Sequence, residues 1–201
     1  MPTTTPKGHA TRRRLLDAAL DELAANDGQV EFAAVTRRAG TSAGLPYRYF
    51  GSKSLMIVAL IDEFFDAWEA LAYRPTFQEV SDDWWVCECV RIDKTVTFFY
   101  EHPLAPLLFT RLGGDAAVMG RMRQRVDAQV RGAAKNVRRG KRLGRVPQHV
   151  DAKLSGALLM GGSSQVLALA LASDPPLSRV RVARELRDFM QRVLCLEETR
   201  T

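Results

Sequence analysis

The chain is poor in the residues that carry covalent and redox chemistry. Among 201 residues it has three cysteines and three histidines. Three cysteines cannot form a closed disulfide set. Cys87 and Cys89 stand two positions apart and point to different faces of a helix, and Cys195 is far along the chain, so reduced thiols of a cytoplasmic protein are expected. His9 lies in the N-terminal tail, His102 precedes a proline and His149 falls in a loop. None pairs with a cysteine, a carboxylate or a second histidine at metal or nucleophile spacing. No glycine loop runs into Lys-Ser or Lys-Thr, so a phosphate cradle is missing too. These absences argue against an enzyme, a metal site or a bound cofactor. Strand-like alternation, internal repeats and low-complexity tracts are also lacking. The N-terminus, MPTTTPKGHATRRR, has no apolar core of a secretory signal.

What is present is apolar and basic. Hydrophobic residues make up 46% of the chain and the formal charge is +6. That charge permits a polyanionic partner without showing one. It is unevenly spread: residues 54–112 hold more acids than bases, whereas 121–145 has Asp127 as its one acid. That basic run reads either as a second nucleic-acid surface or as the solvated face of a helix. Its apolar stripe, Met119, Met122, Val126, Val130, Ala133 and Val137, suits the second. Residues 154–172, LSGALLMGGSSQVLALALA, carry no charge. Their length could just span a bilayer, but the polar middle Gly-Gly-Ser-Ser-Gln favours a buried helix and no membrane partner.

Helical periodicity covers almost the whole chain. Leu16, Ala19, Leu20 and Leu23 form one stripe, with Thr11 as a possible cap and Asn26-Asp27-Gly28 as the stop. A short helix follows to Gly40, and Ser42 is positioned to cap a third. A long fourth starts after Ser52. The fifth is expected over 81–102, capped by Ser81 and stopped by Pro103. A short helix ends at Gly113-Gly114. Further helices are expected from 115, over 150–173, and from Ser178 after Asp174-Pro175-Pro176.

The second and third helices, joined by a tight turn, match a helix-turn-helix whose third helix lies in the major groove. Here the residues Ala39, Gly40, Ser42, Gly44, Tyr47, Tyr49, Phe50, Ser52 and Lys53 fall in the pattern Ala-Gly-x-Ser-x-Gly-x-x-Tyr-x-Tyr-Phe-x-Ser-Lys. This stretch resembles the DNA-binding signature of TetR-family transcriptional regulators. The detailed resemblance covers about residues 10–60. It implies an all-α protein: a tail over 1–9, a helix-turn-helix domain over 10–53, and a larger ligand-binding and dimerisation domain over 54–201. It also implies a homodimer on an operator of double-stranded DNA, repressing until a small-molecule effector releases it. A constitutive DNA binder with a filled core and, more remotely, a helical enzyme are the alternatives.

The candidate DNA contacts are Ser42, Ala43, Gly44, Leu45, Tyr47, Arg48, Tyr49 and Lys53. Gly44 lets backbone approach DNA, the Tyr47 hydroxyl suits a phosphate, and Arg48 can reach a phosphate or a guanine edge. Lys53 and the N-terminus of the fourth helix can share one phosphate. Ala39, Pro46 and Phe50 are expected inside. Two departures from the pattern matter. The usual Thr-Leu is Leu45-Pro46, and Glu31 stands near where the family often has a threonine. Arg12, Arg13 and Arg14 read as a solvated face or as a basic arm along DNA.

For the rest of the chain, the apolar helices at 150–173 and 178–196 are the expected four-helix interface of the dimer. Its candidates are Leu158, Gly162, Gln165, Leu169, Val182, Leu186, Phe189, Met190 and Val193. Pocket candidates are Trp84, Trp85, Phe98, Phe99, Phe109, Met119, Met122 and Met160. No charged cluster stands out among them as a counter-group, so a largely apolar effector is expected.

Overall fold

The computed structural model describes residues 5–26, 28–110 and 115–196. Every regular element among them is helical: α1 (Pro6–Ala25), α2 (Phe32–Ala39), α3 (Leu45–Phe50), α4 (Lys53–Trp68), a π-helical turn (Glu69–Tyr73), α5 (Trp84–Glu101), α6 (Ala105–Thr110), α7 (Ala116–Arg142), α8 (Ala152–Ala172) and α9 (Arg179–Leu194). Internal contacts divide the chain into two units. One comprises residues 1–66 and 103–123, the other 67–102 and 124–201. The first unit therefore keeps α4 as far as Asp66, beyond the segment 10–53 that the motif delimits. Met56, Leu60, Ile61 and Phe64 of α4 are buried there, and Arg12 and Arg13 of α1 both bond Glu63, at 3.0 and 2.9 Å.

Several helix starts differ from expectation, each for a local reason. Pro6 at the head of α1 has no N–H to leave unbonded, and the Thr5 hydroxyl accepts from the Gly8 N–H at 3.1 Å. Residues 6–9 thus belong to the helix rather than to a tail, and Thr11 lies inside it, donating to the Lys7 carbonyl at 2.9 Å. Residues 1–4 of that tail, Asp27 of the expected stop and Gly113-Gly114 lie outside the described residues. The α5 cap is Asp83, not Ser81: its Oδ1 accepts from Trp85 at 2.7 Å and Val86 at 3.2 Å. A carboxylate at this end also favours the helix dipole. Ser81 instead accepts from the Asp83 N–H at 3.0 Å. Asp115 caps α7 and Asp151 caps α8 in the same way. The Ser54 hydroxyl bond, then the backbone bonds, hold the Asp115 carboxyl below its ordinary range. Backbone N–H groups do the same for Asp151.

In the second unit, α8 is apolar on most sides and packs on α9 and α5. Among the described residues it is the one helix long and apolar enough to cross a membrane, but only 28% of its most apolar window is buried in the chain. Its approach to α7 needs Gly156, where an added Cβ would lie 2.9 Å from the Val130 carbonyl oxygen and the Ala134 nitrogen. The amphipathic α9 buries Val182, Leu186, Met190 and Leu194.

This packing separates two glycines of similar helical context. Gly156→Ala is expected to lower unfolding free energy by about 1–3 kcal/mol, because backbone must move to admit the methyl. Gly120→Ala on α7, with open space around the new Cβ, is expected to raise it by about 0.5–1 kcal/mol through helix propensity. Urea unfolding followed by circular dichroism measures both; equal shifts would contradict the close α7–α8 approach.

Candidate nucleic-acid interface

The turn between α2 and α3 is made by Gly40 in the left-handed conformation, φ 59°. Its N–H returns to the α2 carbonyls, and the Thr41 N–H bonds the Thr36 carbonyl at 2.9 Å, closing a Schellman-type end. The remaining carbonyls are taken by Arg14 of α1, whose Nη2 donates to Ala39 O and, at 3.3 Å, to Gly40 O. Arg14 therefore has a structural role while it stays exposed to solvent. Arg12 and Arg13 are committed to Glu63, so the three arginines do not form a free arm. Arg38 pairs with Glu22, which is largely buried, at 3.3 Å.

α3 does not start at a Ser42 cap. The residue before its first turn is Gly44, with no side-chain cap, and Pro46 sits in the first turn. Pro46 cannot donate to the Ser42 carbonyl four residues back. That carbonyl accepts from Leu45 instead, at 3.1 Å, and regular α bonding begins with Arg48 to Gly44 at 3.1 Å. The helix thus opens with one tight turn of 3₁₀ type. Ser42, Ala43 and Gly44 remain exposed around it.

Ala39, Pro46 and Phe50 face inward, as expected. The Arg12 guanidinium stands 5.5 Å from the Phe50 ring centre. On the outside, Tyr47 is 60% exposed and its ring meets the edge of Phe32 at 4.8 Å, which orients the hydroxyl outward. Arg48 is exposed, Leu45 and Tyr49 are half-buried, and nothing lies within 4 Å of a Cβ built on Gly44. α3 thus presents a phenol, a guanidinium and bare backbone side by side. Just beyond it, Lys53 opens α4, where the Ser52 hydroxyl accepts from Leu55 at 3.1 Å. The Lys53 ammonium is already engaged by Glu31 at 2.6 Å. Glu31 precedes α2 without capping it, so this acid is free to hold the lysine.

The other predicted groups are dispersed. Phe109, Met119 and Met122 belong to the first unit, and Met119 is exposed. Trp84, Trp85, Phe98, Phe99 and Met160 belong to the second. Trp84 and Phe99 are core residues: Trp84 packs with Val137, Val146 and Leu159, and Phe99 meets the Trp68 ring at 5.4 Å. Trp84 also borders, with Trp85, Arg145, Pro147 and Gln191, a cleft of about 320 Å³. Phe98 and Met160 are half-buried. Of the expected interface residues, Val182, Leu186 and Met190 lie in the chain's own core. Phe189 and Val193 pack against that core too, and Gly162 adjoins Phe189 within the protomer: a Cβ there would come within 2.5 Å of its ring. Most of the α9 stripe is thus covered within one chain, with Phe189 and Val193 half-buried. Leu158, Gln165 and Leu169 of α8 are exposed.

A group absent from the sequence-based set is the most buried polar cluster. Glu88 of α5 is 2% exposed. Its Oε2 accepts from Arg91 Nε at 3.1 Å and from Asn136 Nδ2 at 2.8 Å. Burial pushes its carboxyl up, and Arg91 with Asn136 pulls it partly back. Arg91 also donates to the Ala72 carbonyl and, at 3.2 Å, to Pro75 O, closing the π-helical turn. Glu88 lies in an ordinary helical run, 48 residues from Asn136, so no local pattern announces the cluster. The basic run on α7 is likewise partly internal: Arg121 bonds Asp62 at 2.6 Å, Arg125 lies 3.7 Å from Glu69, and Lys141 donates to the Val150 carbonyl at 2.8 Å.

No family model matches the chain by sequence, and no curated protein does. Solved structures match it closely in shape. SmeT, the repressor of the Stenotrophomonas maltophilia multidrug efflux pump SmeDEF, superposes with a TM-score of 0.79 at 16% identity over 96% of this chain and 93% of its own. The transcriptional regulator FadR of Bacillus subtilis, solved with stearoyl-CoA, gives 0.72 at 16% identity over 89% and 96%. A Rhodococcus protein assigned to the TetR family of transcriptional regulators gives 0.67 at 18% identity over 92% and 99%. With the helix-turn-helix in place at its head, the chain has the all-helical fold of the TetR-family transcriptional regulators.

Proposed function

We propose that the protein is a TetR-family transcriptional regulator that binds operator DNA as a homodimer and is released from it by a small-molecule effector. The observation that carries this reading is the exposed face of α3, where Tyr47 and Arg48 flank the open backbone of Gly44, with Lys53 following at the head of α4. A core of buried side chains holds that short helix while its outward chemistry remains unused within the chain. The solved neighbours include a pump repressor and a regulator held with stearoyl-CoA, which supports repression and effector binding for this chain.

In this reading Tyr47 and Lys53 grip phosphates and Arg48 reads a base. Lys53→Ala weakens binding to every DNA and lowers the salt slope by about 0.9 for each phosphate that the lysine no longer neutralises. Arg48→Ala costs about 1–3 kcal/mol per half-site and relaxes one base position. Fluorescence anisotropy against selected and scrambled duplexes at several salt concentrations separates them. Equal weakening on all sequences would make Arg48 a phosphate ligand and leave specificity to Leu45, Ala43 or DNA shape.

Glu31 gives a second test on the same surface. It competes with phosphate for Lys53, so Glu31→Gln strengthens DNA binding, up to about fivefold per subunit for a surface pair. In a Lys53→Met background the gain disappears if Glu31 acts through the lysine. A gain that persists there shows plain repulsion between Glu31 and DNA.

The dimer rests on α8. Leu154, Leu158, Gly161, Gln165 and Leu169 recur at helical spacing on its uncovered face, and the three leucines are 63%, 58% and 66% exposed. An apolar stripe of this kind needs a cover, and a second copy across a two-fold axis supplies a matching one. Sedimentation at micromolar concentration is expected to give twice 22.4 kDa, and Leu158→Asp is expected to give the monomer with helicity intact. A wild-type monomer, or a dimer indifferent to this charge, removes α8 as the interface.

A further inference from the structure

We infer that the buried polar cluster of the second unit is the effector's recognition site, and that the effector is an apolar body carrying a hydrogen-bond donor such as a hydroxyl. This rests on the regulator reading above and adds a polar group to the largely apolar effector expected there.

The carboxylate Oε1 of Glu88 and the amide Nε2 of Gln129 are both buried without a hydrogen-bond partner. The two residues are 2% and 8% exposed. Orphaned polar groups in an interior are rare because each forfeits its hydration. Glu88 cannot relax cheaply. The other oxygen of Glu88 is fixed by Arg91 and Asn136, and Arg91 is itself tied to the π-helical turn.

A third group belongs with them. The Tyr73 phenol donates only to the thioether of Met160, at 2.9 Å, a weak acceptor, and burial pushes its pKa up. The Tyr73 ring lies over Gly132 of α7, where a Cβ would stand 3.5 Å from the ring carbon Cδ1. Gly132 is one turn from both Gln129 and Asn136. The Trp68 ring lies 4.9 Å from Tyr73. An acceptor and a donor are thus set among aromatic and thioether surface, contributed by α5, α7, α8 and the π-helical turn. Convergent polar groups within apolar surroundings are the chemistry of small-ligand sites. Glu88, as an acceptor with one oxygen unfilled, selects a donor. Gln129 meets an acceptor on the same ligand.

Matched probes test this: 1-naphthol against 1-methoxynaphthalene, and the same hydroxyl and methyl-ether pair built on phenol and on 4-phenylphenol. Binding is followed by tryptophan emission. The wild type is expected to bind at least one pair with the hydroxyl favoured about tenfold, the value of one buried hydrogen bond. In Glu88→Gln, Arg91 and Asn136 keep the amide oxygen at the Oε2 position, which places an NH₂ where Oε1 was. The hydroxyl preference is then lost or inverted. Gln129→Met, a milder change should Glu88→Gln unfold, is expected to weaken both members of the pair alike. If no pair binds, or if the preference survives Glu88→Gln in folded protein, the inference fails. Equal affinity for hydroxyl and ether also overturns it, because bound water then serves these groups. DNA binding by the same proteins without probe distinguishes the two failures. A wild type that binds DNA but shows no donor preference sinks only the effector site, whereas a wild type that binds no DNA sinks the regulator reading.

Discussion

The usefulness of α3 depends on how the carbonyls at the end of α2 are held. α3 spans six residues, far too few to persist as an isolated helix in water. Its placement comes from outside: from the left-handed Gly40, from Arg14 reaching across from α1, and from Pro46 and Phe50 anchored beneath. Any residue but glycine at position 40 would meet both a positive φ and the Arg14 guanidinium at 3.3 Å. Once that turn is set, Tyr47 and Arg48 have nowhere to point but outward.

The parts of this architecture that local chemistry controls were legible in the sequence. Helix periodicity, Gly40 as a stop and the inward set of Ala39, Pro46 and Phe50 all follow from rules that act within one or two turns. The errors at helix starts are of the same short range: Ser42, Ser81 and Thr11 can each cap a helix, but Gly44, Asp83 and Thr5 stand where the backbone turns. What could not be read is what joins residues far apart. Arg14 looks like one of three equivalent arginines until α2 is folded beside it. Lys53 and Glu31, 22 residues apart, look like independent surface charges. The α9 stripe is visible as a stripe, but whether its cover is α5 and α8 of the same chain or a second chain is a matter of packing. Here the chain itself covers it, which leaves α8 as the face with apolar surface to spare.

The two units solve their polar problems differently. In the first, apart from Arg38 with the buried Glu22, acids and bases meet near the surface: Glu63 with Arg12 and Arg13, Asp62 with Arg121, Glu31 with Lys53. Such pairs contribute little to stability and exchange readily with solvent ions. In the second, Glu88 and Arg91 are paired in the interior, where losing one partner strands the other at a cost of several kcal/mol, about 3–5. That arrangement resists exchange with solvent ions.

The π-helical turn at 69–73 adds a question of phase. α4 runs from Lys53 without a break into this turn, which closes over five residues where an α-turn closes over four. Its Glu69 carbonyl accepts from the Arg74 N–H at 2.8 Å, and its Ala72 carbonyl accepts from Arg91. Such a turn is a one-residue dislocation in the helix. The guanidinium that holds this turn belongs to the same buried cluster as Glu88.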